Sequence, residues 1–508
     1  MGLDAALSIA SGGLANVSAG LALVSHNVAN AGTPGYVTES ATQTALDAQG
    51  IGMGVRTGPA IRLLNTQLQA QVQAQASTVA GLTTQQSALQ AIDAAQGTPG
   101  QGQDLGSLLG ALGNQFSTLL NDPSNATQQQ AVVNAAGTLA GQINTLSNTY
   151  TAQRQAAQNA IVSAVGTINS TLAAIGSLSD QIMATKAAGQ STADLENQRD
   201  AQLASLAQVI SVNTLAQPNG DMLVTTASGT ELPTHGPADP LSTTAANVEP
   251  GAYYPGGGIP AVMLGGVDVT ASLTGGQLGA NLTLRDTTLP TDQAELDEFA
   301  QNLAGRFSAQ GLKLFTDASG TVPAGGGAPV QSGYVGFGAT IQVNPAVTTT
   351  PSLVRDGTTA IAGSATGASA FTPNPPGGPA GFSTLITRVI DFTLSADAQA
   401  GVAQPASNTL GLGANGTLAA PYASQPTLAG IASALVGAQS AASAAVSAQL
   451  STEQGVQTTL QGQLTSQSGV NMDTQMSQMI ALQNAYGANA KVIAAVQAMY
   501  TQLLSAVQ

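Results

Sequence analysis

The chain has 508 residues, more than one compact core normally holds, so we expect about two to four domains. Only 7% of residues are charged and 3% are aromatic, the net charge is −15, and Cys and Trp are absent. No basic cluster accompanies the 11 Lys and Arg residues, which argues against nucleic acids and anionic membranes as partners. A disulfide framework and thiolate chemistry are excluded, while a hydrophobic fraction of 43% argues against wholesale disorder.

The first thirty residues predict an amphipathic helix with a coiled-coil seam. Apolar residues recur at alternating steps of four and three: Leu3, Leu7, Ala10, Leu14, Val17, Leu21, Val24 and Val28. Gly12, Gly13 and Gly20 each weaken a helix by about 1 kcal/mol relative to Ala, so this helix needs a partner. The start carries no basic side chain, and no apolar run approaches about 18 residues. We therefore expect neither a cleaved secretory signal nor a membrane-spanning helix.

The helix is followed by the segment Asn27–Tyr36, which predicts a stop and a turn. Asn30 or Gly32 can adopt the left-handed conformation that ends a helix, and Pro34 prevents the helix from resuming. Pro34-Gly35 favours a turn, after which Tyr36 begins an extended stretch.

The middle of the chain predicts long helices followed by short strands. Residues 65–210 are rich in Gln, Ala and Leu at helical spacing, with breaks at 97–106 and 121–124. Asn219-Gly220 separates two apolar runs and predicts a hairpin. A further helix is expected over 291–310.

Residues 322–426 are rich in Gly, Pro, Thr and Val and predict a β-rich region, whereas residues 428–465 return to an Ala- and Gln-rich helical pattern. The order of elements is nearly palindromic, which predicts a chain that leaves from and returns to one end.

The C-terminal segment predicts a second long apolar helix. One register with steps of four and three consists of Met472, Met476, Met479, Gln483, Tyr486, Ala490, Ile493, Gln497, Tyr500, Leu504 and Val507. Further apolar residues widen the stripe: Ile480, Leu482, Val492, Val496, Met499 and Leu503. So wide a face predicts neighbours on more than one side. The two terminal helices either pair only within one chain or also pack between subunits, and we favour the second reading.

The residue types for catalysis and metal binding are sparse. His26 and His235 are the two histidines, and neither lies in a His cluster that predicts zinc. No nucleophile motif is present, and Asp292, Glu295, Asp297 and Glu298 are interpreted as the solvated start of a helix. We therefore predict no enzyme activity, no catalytic residue, no cofactor and no metal.

The segment Asn27-Val28-Ala29-Asn30-Ala31-Gly32-Thr33-Pro34-Gly35-Tyr36 resembles the N-[IV]-A-N-x-x-T-P-G-Y signature of flagellar axial proteins. The signature residues are Asn27, Asn30, Thr33, Pro34, Gly35 and Tyr36. The segment from Ser468 through Asn489-Ala490 is similar to the closing helix of the same superfamily.

Within that superfamily, the interior resembles the family of hook-associated protein 1, FlgK. Asp194–Leu203 resembles its L-x-D-Q-R-D-x-L motif through Gln198, Arg199 and Asp200, with Asn197 in place of the usual Asp. We interpret Arg199-Asp200 as an ion pair on a helix surface. Gly275–Ala280 followed by Leu284-Arg285-Asp286 resembles a second segment of that family.

The resemblance implies an elongated, multidomain α+β protein with three parts. These are a terminal helical domain (1–64 with 466–508), a mainly helical rod domain (65–320 with 427–465, including a small hairpin region near 210–285), and a β-rich outer domain (321–426). The residues expected to pack helices during assembly are Leu3, Leu7, Leu14, Val17, Leu21, Val24, Val28, Met476, Met479, Tyr486, Ile493, Tyr500 and Leu504.

The resemblance further implies a structural subunit of the bacterial flagellum at the hook–filament junction, exported unfolded without a cleaved signal and located outside the cell. The implied partners are further copies of the chain in a helical ring, the hook protein, a second junction protein and an export chaperone, with no nucleic acid and no membrane insertion. Two alternatives stay open: a hook or distal-rod subunit, and a secreted adhesin or cell-wall hydrolase with axial-protein ends.

Overall fold

The computed structural model describes residues 2–33, 35–48, 51–98, 100–237 and 239–506. The predictions made for Pro34 and Val507 lie outside these residues. Within them the helices are α1 (Leu3–Ala29), α2 (Thr66–Gln96), α3 (Leu105–Asn121), α4 (Ala126–Ala187), α5 (Ala193–Val209), α6 (Gly276–Thr283), α7 (Leu289–Ala309), α8 (Phe337–Thr340), α9 (Pro345–Thr349), α10 (Leu353–Asp356), α11 (Thr384–Arg388), α12 (Leu428–Ser468) and α13 (Met472–Ala506). A 3₁₀ turn spans Thr270–Ser272, and π-helical turns span Leu284–Thr288 and Val389–Thr393.

The strands are short except for the first two. In chain order they are β1 (Glu39–Ala48), β2 (Ile51–Arg62), β3 (Val212–Ala216), β4 (Met222–Thr226), β5 (Glu231–Leu232), β6 (Leu241–Ser242), β7 (Met263–Leu264), β8 (Val267–Asp268), β9 (Phe315–Thr316), β10 (Gln342–Val343), β11 (Asp397–Gln399), β12 (Val402–Ala403), β13 (Leu410–Leu412) and β14 (Leu418–Ala419). β1 pairs antiparallel with β2, with Glu39 opposite Arg62. The sheets β3-β4-β5 and β6-β7-β8 are also antiparallel.

Side-chain caps fix the starts of the body helices at the breaks that the sequence predicted. Asp104 and Asn125 accept hydrogen bonds from backbone N–H groups of the first turns of α3 and α4, and Asn65 does the same for α2. Each cap satisfies a donor that the helix itself leaves unpaired. The 62 residues of α4 span about 93 Å at 1.5 Å per residue, so the fold is elongated. The α+β class is confirmed.

α4 passes through two hydrophobic cores. Its first half packs with α3, α7 and the start of α12. Its second half packs with α5, α6 and the sheets β3-β4-β5 and β6-β7-β8. The predicted hairpin at Asn219-Gly220 is confirmed, and Gly220 has a φ of +105°. The long β1–β2 hairpin was foreseen only as an extended stretch after Tyr36.

The strand content predicted for residues 321–426 was too high. Its strands are two or three residues long and its helices are single turns, because Gly, Pro and Thr here form turns. Buried side chains of this segment, such as Phe337, Val354 and Ile386, belong to the same core as α3, α4 and α7. α6 was not predicted, since the next helix was expected only over 291–310. The division into three domains stays a prediction.

Three helical stretches are long and apolar enough to cross a membrane by length and composition: Leu3–Ala29, Ala126–Ala187 and Leu428–Ala506. The sequence criterion of an uninterrupted apolar run did not select these stretches, because Ser, Gly and Asn interrupt their apolar residues while adding no charge. The expectation that no helix spans a membrane stays a prediction. Half of the relevant window in α4 is buried within the protein.

The interpretation of the acidic run at the start of α7 as a solvated surface was wrong. Asp292, Glu295, Asp297 and Glu298 are all buried. Asp297 accepts hydrogen bonds from the backbone N–H groups of Gly336 and Gly338 at 2.6 and 2.8 Å. Glu298 accepts hydrogen bonds from Tyr334, Asn302 and Asn408. These two carboxyl groups therefore fasten distant loops onto α7.

The other two acids hold no loop in this way. Asp292 Oδ2 and both carboxyl oxygens of Glu295 are buried without a hydrogen-bond partner in the described part of the chain. Burial raises the pKa of Asp292 to about 8, and burial followed by the charge of Asp292 raises the pKa of Glu295 to about 9. Both carboxyl groups are consequently protonated in the folded protein at neutral pH.

The body should lose stability as the pH rises from about 4 to about 9. Unfolded Asp and Glu titrate near about 3.9 and 4.3, so in this window the folded state binds more protons than the unfolded state. Each acid contributes a slope of up to about 1.4 kcal/mol per pH unit between its two pKa values. Urea denaturation at pH 5 and pH 8 should show the lower unfolding free energy at pH 8.

The variant D292N/E295Q should reduce this dependence and leave the part due to Asp297, whose pKa burial raises to about 7. The exposed substitution D180N should leave the dependence intact. A steeper or unchanged slope in the double variant would contradict the assignment.

Candidate assembly site: the terminal helix pair and the neck

α1 and α13 form an antiparallel pair within one chain. Four contacts run along it: Asp4 with Tyr500, Gly13 with Asn489, Gly20 with Leu482, and Asn27 with Gln475. Three of these contacts are spaced by seven residues on each helix, which is the repeat of a coiled coil. Pairing within the chain, one of the two readings left open by the sequence, is therefore present in the structure.

Small residues bring the two helices close together. A Cβ atom added to Gly13 would lie 3.1 Å from the Asn489 side chain, and one added to Gly20 would lie 3.2 Å from the Leu482 methyl groups. The glycines that weaken α1 as an isolated helix thus allow the close approach of its partner.

The predicted packing residues separate into three groups by exposure. Val17 and Val24 are buried. The half-buried residues are Leu3, Leu7, Leu14, Leu21, Val28, Met479, Ile493 and Tyr500. Met476, Tyr486 and Leu504 are exposed by 46%, 44% and 67%, so they do not contribute to the seam within the chain. The buried positions of α13 are instead Gln475 and Val496, which the apolar pattern did not select as seam residues.

The Asn27 side chain, 1% exposed, joins three elements. Its Nδ2 donates to the Glu39 carbonyl at 2.9 Å and to Gln475 Oε1 at 3.2 Å. Its Oδ1 accepts from the Glu39 N–H at 3.1 Å and from the Tyr36 hydroxyl at 2.9 Å. One amide therefore holds the end of α1, the start of β1 and the first turn of α13 together.

Asn30, Thr33, Gly35 and Tyr36 of the signature shape the turn between α1 and β1. Asn30 Nδ2 donates to the His26 carbonyl at 3.1 Å, and the Thr33 N–H donates to the Asn30 carbonyl at 2.9 Å. Gly35 has a φ of +77°, a conformation that favours glycine. Burial raises the pKa of Tyr36, so its hydroxyl keeps its proton and donates to Asn27.

Three chain segments lie side by side between the helix pair and the body: residues 27–33 with 35–39, residues 62–65, and residues 468–475. We call these segments the neck. The Thr38 N–H donates to the Ser468 carbonyl at 2.8 Å, and the Thr38 hydroxyl donates to the Gly469 carbonyl at 2.7 Å. The Leu63 N–H donates to the Thr38 carbonyl, and the Asn65 N–H donates to Ser468 Oγ. These bonds join the two halves of the chain beside the end of α12.

Residues of the motif on α5 bind Arg62 of the neck. The interpretation of Arg199 and Asp200 as an ion pair on a helix surface was wrong. Arg62 donates to Asp200 Oδ2 at 2.6 Å and to Glu196 Oε2 at 2.9 Å. The buried Arg199 guanidinium donates to the Gly220 carbonyl at 2.7 Å, and burial lowers its pKa.

The physical reason is that adjacent residues on a helix do not face each other, so Arg199 and Asp200 reach different neighbours. Gln198 is exposed on the same helix.

Two apolar flanks of α13 remain in solvent. Met472, Met476 and Ile480 lie on one side of the face that contacts α1, while Val492, Met499 and Leu503 lie on the other. Ile480 is 57% exposed and Leu503 is 58% exposed. Large apolar groups at such density on both sides of one helix are typical of a surface that other protein covers.

Comparison with known protein families gives two matches. Residues 89–321 match the family model described as the flagellar hook-associated protein FlgK helical domain. Residues 460–506, which contain α13, match the model described as the C-terminal segment of flagellar basal body rod FlgEFG proteins. The resemblance seen in the sequence is confirmed.

Curated relatives agree with these matches. Flagellar hook-associated protein 1 of Salmonella typhimurium is 29% identical over 339 residues, covering 63% of this chain and 58% of the relative. The Escherichia coli protein of the same name is 26% identical over 330 residues, covering 63% and 59%. The chain thus spans less than two thirds of the length of the relatives it matches.

A solved structure described as the flagellar hook junction protein FlgK from Burkholderia pseudomallei has a TM-score of 0.40 and 24% sequence identity. It covers 50% of this chain and 46% of that one.

Replacing Asn27 by Ala should loosen the neck without unfolding the body. The substitution leaves buried groups of Glu39, Tyr36 and Gln475 without partners, at a cost of about 1–3 kcal/mol for each unsatisfied group. Hydrogen exchange should accelerate in α1, β1 and α13 while α4 stays protected.

The matched control is Asn30→Ala, which removes only bonds local to the turn. Equal exchange rates in the two variants would exclude Asn27 as the residue that joins the three segments.

Proposed function

We propose that this chain is a structural subunit of the bacterial flagellum at the hook–filament junction, because residues 89–321 match the model of the helical domain of flagellar hook-associated protein FlgK. The observation that carries this proposal is the antiparallel terminal pair with apolar residues exposed on both flanks of α13. The match to the helical domain over residues 89–321 favours the junction over a hook or rod subunit. The match that names rod proteins is confined to residues 460–506.

The two exposed flanks support assembly by a repeated heterologous contact. Because they lie on opposite sides of the α1-facing surface, the Met476–Ile480 flank of one copy meets the Val492–Leu503 flank of the next. Contacts of this kind generate rings or open helical tubes. In this arrangement the terminal pairs form the inner wall of a tube, and the body projects outward from the neck.

The predicted packing positions acquire distinct roles in this proposal. Val17, Val24, Met479, Ile493 and Tyr500 stabilise the pair within one chain. The exposed Met476, Tyr486 and Leu504 contact neighbouring copies. The half-buried Leu3, Leu7, Leu14, Leu21 and Val28 lie at the edge of the pair and extend the same surface.

The proposed position at the hook–filament junction implies the binding partners of the chain. Hook subunits lie on one side, a second junction protein lies on the other, and an export chaperone covers the apolar ends before assembly. The chain leaves the cell unfolded through the flagellar export channel without a cleaved signal and works outside the cell. The absence of Cys suits such export, because no disulfide can form during transit.

The alternative of an adhesin or hydrolase receives no support from the arrangement of the polar residues. The family is one of structural flagellar proteins. Buried carboxyl groups on α7 serve to hold the loops around Gly336 and Asn408. Residues 321–426 share a core with the helical body, which suits a stiff structural unit better than a separate catalytic module.

Charges placed on one flank of α13 should block assembly of a protein that still folds. M476E/I480E introduces carboxylates at two exposed positions, so the melting temperature of the isolated protein should change little. In a strain of the source bacterium that lacks the protein, electron microscopy should show hooks without filaments. The wild-type chain should restore filaments, and the double variant should not.

The control V267E places a carboxylate on the body, where Val267 is 65% exposed, and should restore filaments. Missing hooks in the deletion strain would favour a hook or rod subunit instead. Normal filaments with M476E/I480E would refute the flank contact.

A further inference from the structure

Three potential metal ligands from separate elements meet beside the neck. His26 comes from α1, Glu39 from β1 and Asp194 from the first turn of α5. One ligand atom from each lies within 4.8 Å of the others. The sequence placed no metal here, since the ligands are 13 and 155 residues apart along the chain and only one of them is a histidine.

Glu39 is the ligand that most needs a partner. The residue is only 5% exposed, and its Oε1 has no hydrogen-bond partner among the described residues. Burial, followed by the charge of Asp194, raises the pKa of its carboxyl group, and a side-chain hydrogen bond with Asp194 acts in the same direction, while His26 and Arg62 act in the opposite direction. A buried carboxyl oxygen without a donor is costly unless a proton or a cation compensates it.

The hydrogen bonds around Tyr36 orient the His26 ring toward this carboxyl group. The Tyr36 hydroxyl donates its hydrogen bond to Asn27 Oδ1, because that amide oxygen carries no hydrogen and can only accept. The oxygen of Tyr36 must then accept from His26 Nδ1, 3.2 Å away. Neutral His26 therefore carries its proton on Nδ1, and the lone pair of Nε2 points toward Asp194 Oδ1 at 3.7 Å.

A lone pair that faces a carboxylate is unfavourable unless a positive centre lies between them. A proton, held on Nε2 or on one of the two carboxyl groups, is one such centre, and a metal ion is the other. The tautomer set by Tyr36 is the one found in metal sites, where a ligating histidine donates its second N–H to a polar neighbour. The side chain of Arg62 does not provide this positive centre, because it already donates hydrogen bonds to Glu196, Asn197 and Asp200.

We propose that His26, Glu39 and Asp194 bind a divalent cation of the zinc class. One imidazole nitrogen and two carboxylate oxygens form a three-ligand set that Zn²⁺ accepts, with water in the remaining position. Asp194 is 63% exposed and His26 is 40% exposed, so the ion has a path from solvent and the ligands have freedom to close on it. The bound ion links α1, the hairpin and α5, and thereby fixes the angle between the terminal pair and the body.

The second histidine of the chain provides a matched control. His235 also lies between two carboxylates, but its Nε2 already bonds directly to Asp221 Oδ1 at 2.9 Å. Asp221 in turn accepts a bond from the Met222 N–H. That group is complete without an ion. The cation proposal does not depend on the role of the chain in assembly.

Calorimetric titration of the full chain with ZnCl₂ at pH 7.5 tests the site, using protein without an affinity tag and treated with EDTA. We expect one Zn²⁺ per chain in the wild type and in H235A. Affinity should fall by at least about tenfold in H26A, D194N and E39Q. D194N alters an exposed side chain, so its fold, checked by circular dichroism, should be unchanged.

Zinc uptake that survives H26A or D194N would overturn the proposal, as would its absence in the wild type. Nitrogen-15 NMR of the two histidines identifies the alternative: an imidazolium at His26 in protein that takes up no zinc would place a proton, not a metal ion, in this site.

Discussion

The side-chain amide of Asn27 occupies the point where the two ends of the chain meet the body, and the arrangement of the rest depends on its four hydrogen bonds. An amide buried to this extent is stable only when its donors and acceptors are all paired. Glu39, Tyr36 and Gln475 provide those partners from three separate segments. The cost of leaving any of them unpaired gives the neck a single geometry, which apolar packing alone would not impose.

Hydrogen bonds of buried polar side chains also hold the body together. Asp297 fastens the loop at Gly336–Gly338 to α7, and Arg154 donates to the carbonyls of Arg285, Glu249 and Ala252. With few large aromatic residues available, these bonds fix loops that a thicker apolar core would otherwise hold. Because α4 runs through both cores, a force applied at the neck is carried along one continuous helix of about 93 Å.

The helices and their breaks could be predicted from the sequence because apolar spacing, Asn and Asp caps and Gly turns are local signals. For the neck, the sequence showed only the signature motif around Asn27. Its contacts could not be predicted, since the partners of Asn27 include a residue 448 positions away. The burial of Asp292 and Glu295 could not be foreseen, because charged residues usually mark a surface and the side chains near these acids, Tyr150, Tyr422 and Gln439, come from distant parts of the chain.

The sequence pattern predicted the wrong residues of α13 for the seam, for a related reason. Large apolar residues predict burial, yet here Gly20, Asn489 and Gln475 contribute to the close seam while Met476 and Ile480 face solvent. A helix that contacts one partner inside the chain and others outside it carries two overlapping patterns, and periodicity alone cannot assign them.

The central claim is that α1 and α13 pair antiparallel within one chain, leaving both flanks of α13 for its neighbours. Cysteines introduced as G20C and L482C test it most directly, because the chain has no other Cys and a Cβ at position 20 lies 3.9 Å from Cγ of Leu482. Oxidation of the dilute protein should give a disulfide within a monomer, read by non-reducing electrophoresis and peptide mapping. Disulfide-linked dimers in place of that product would show that the terminal helices pair between chains and would contradict the account.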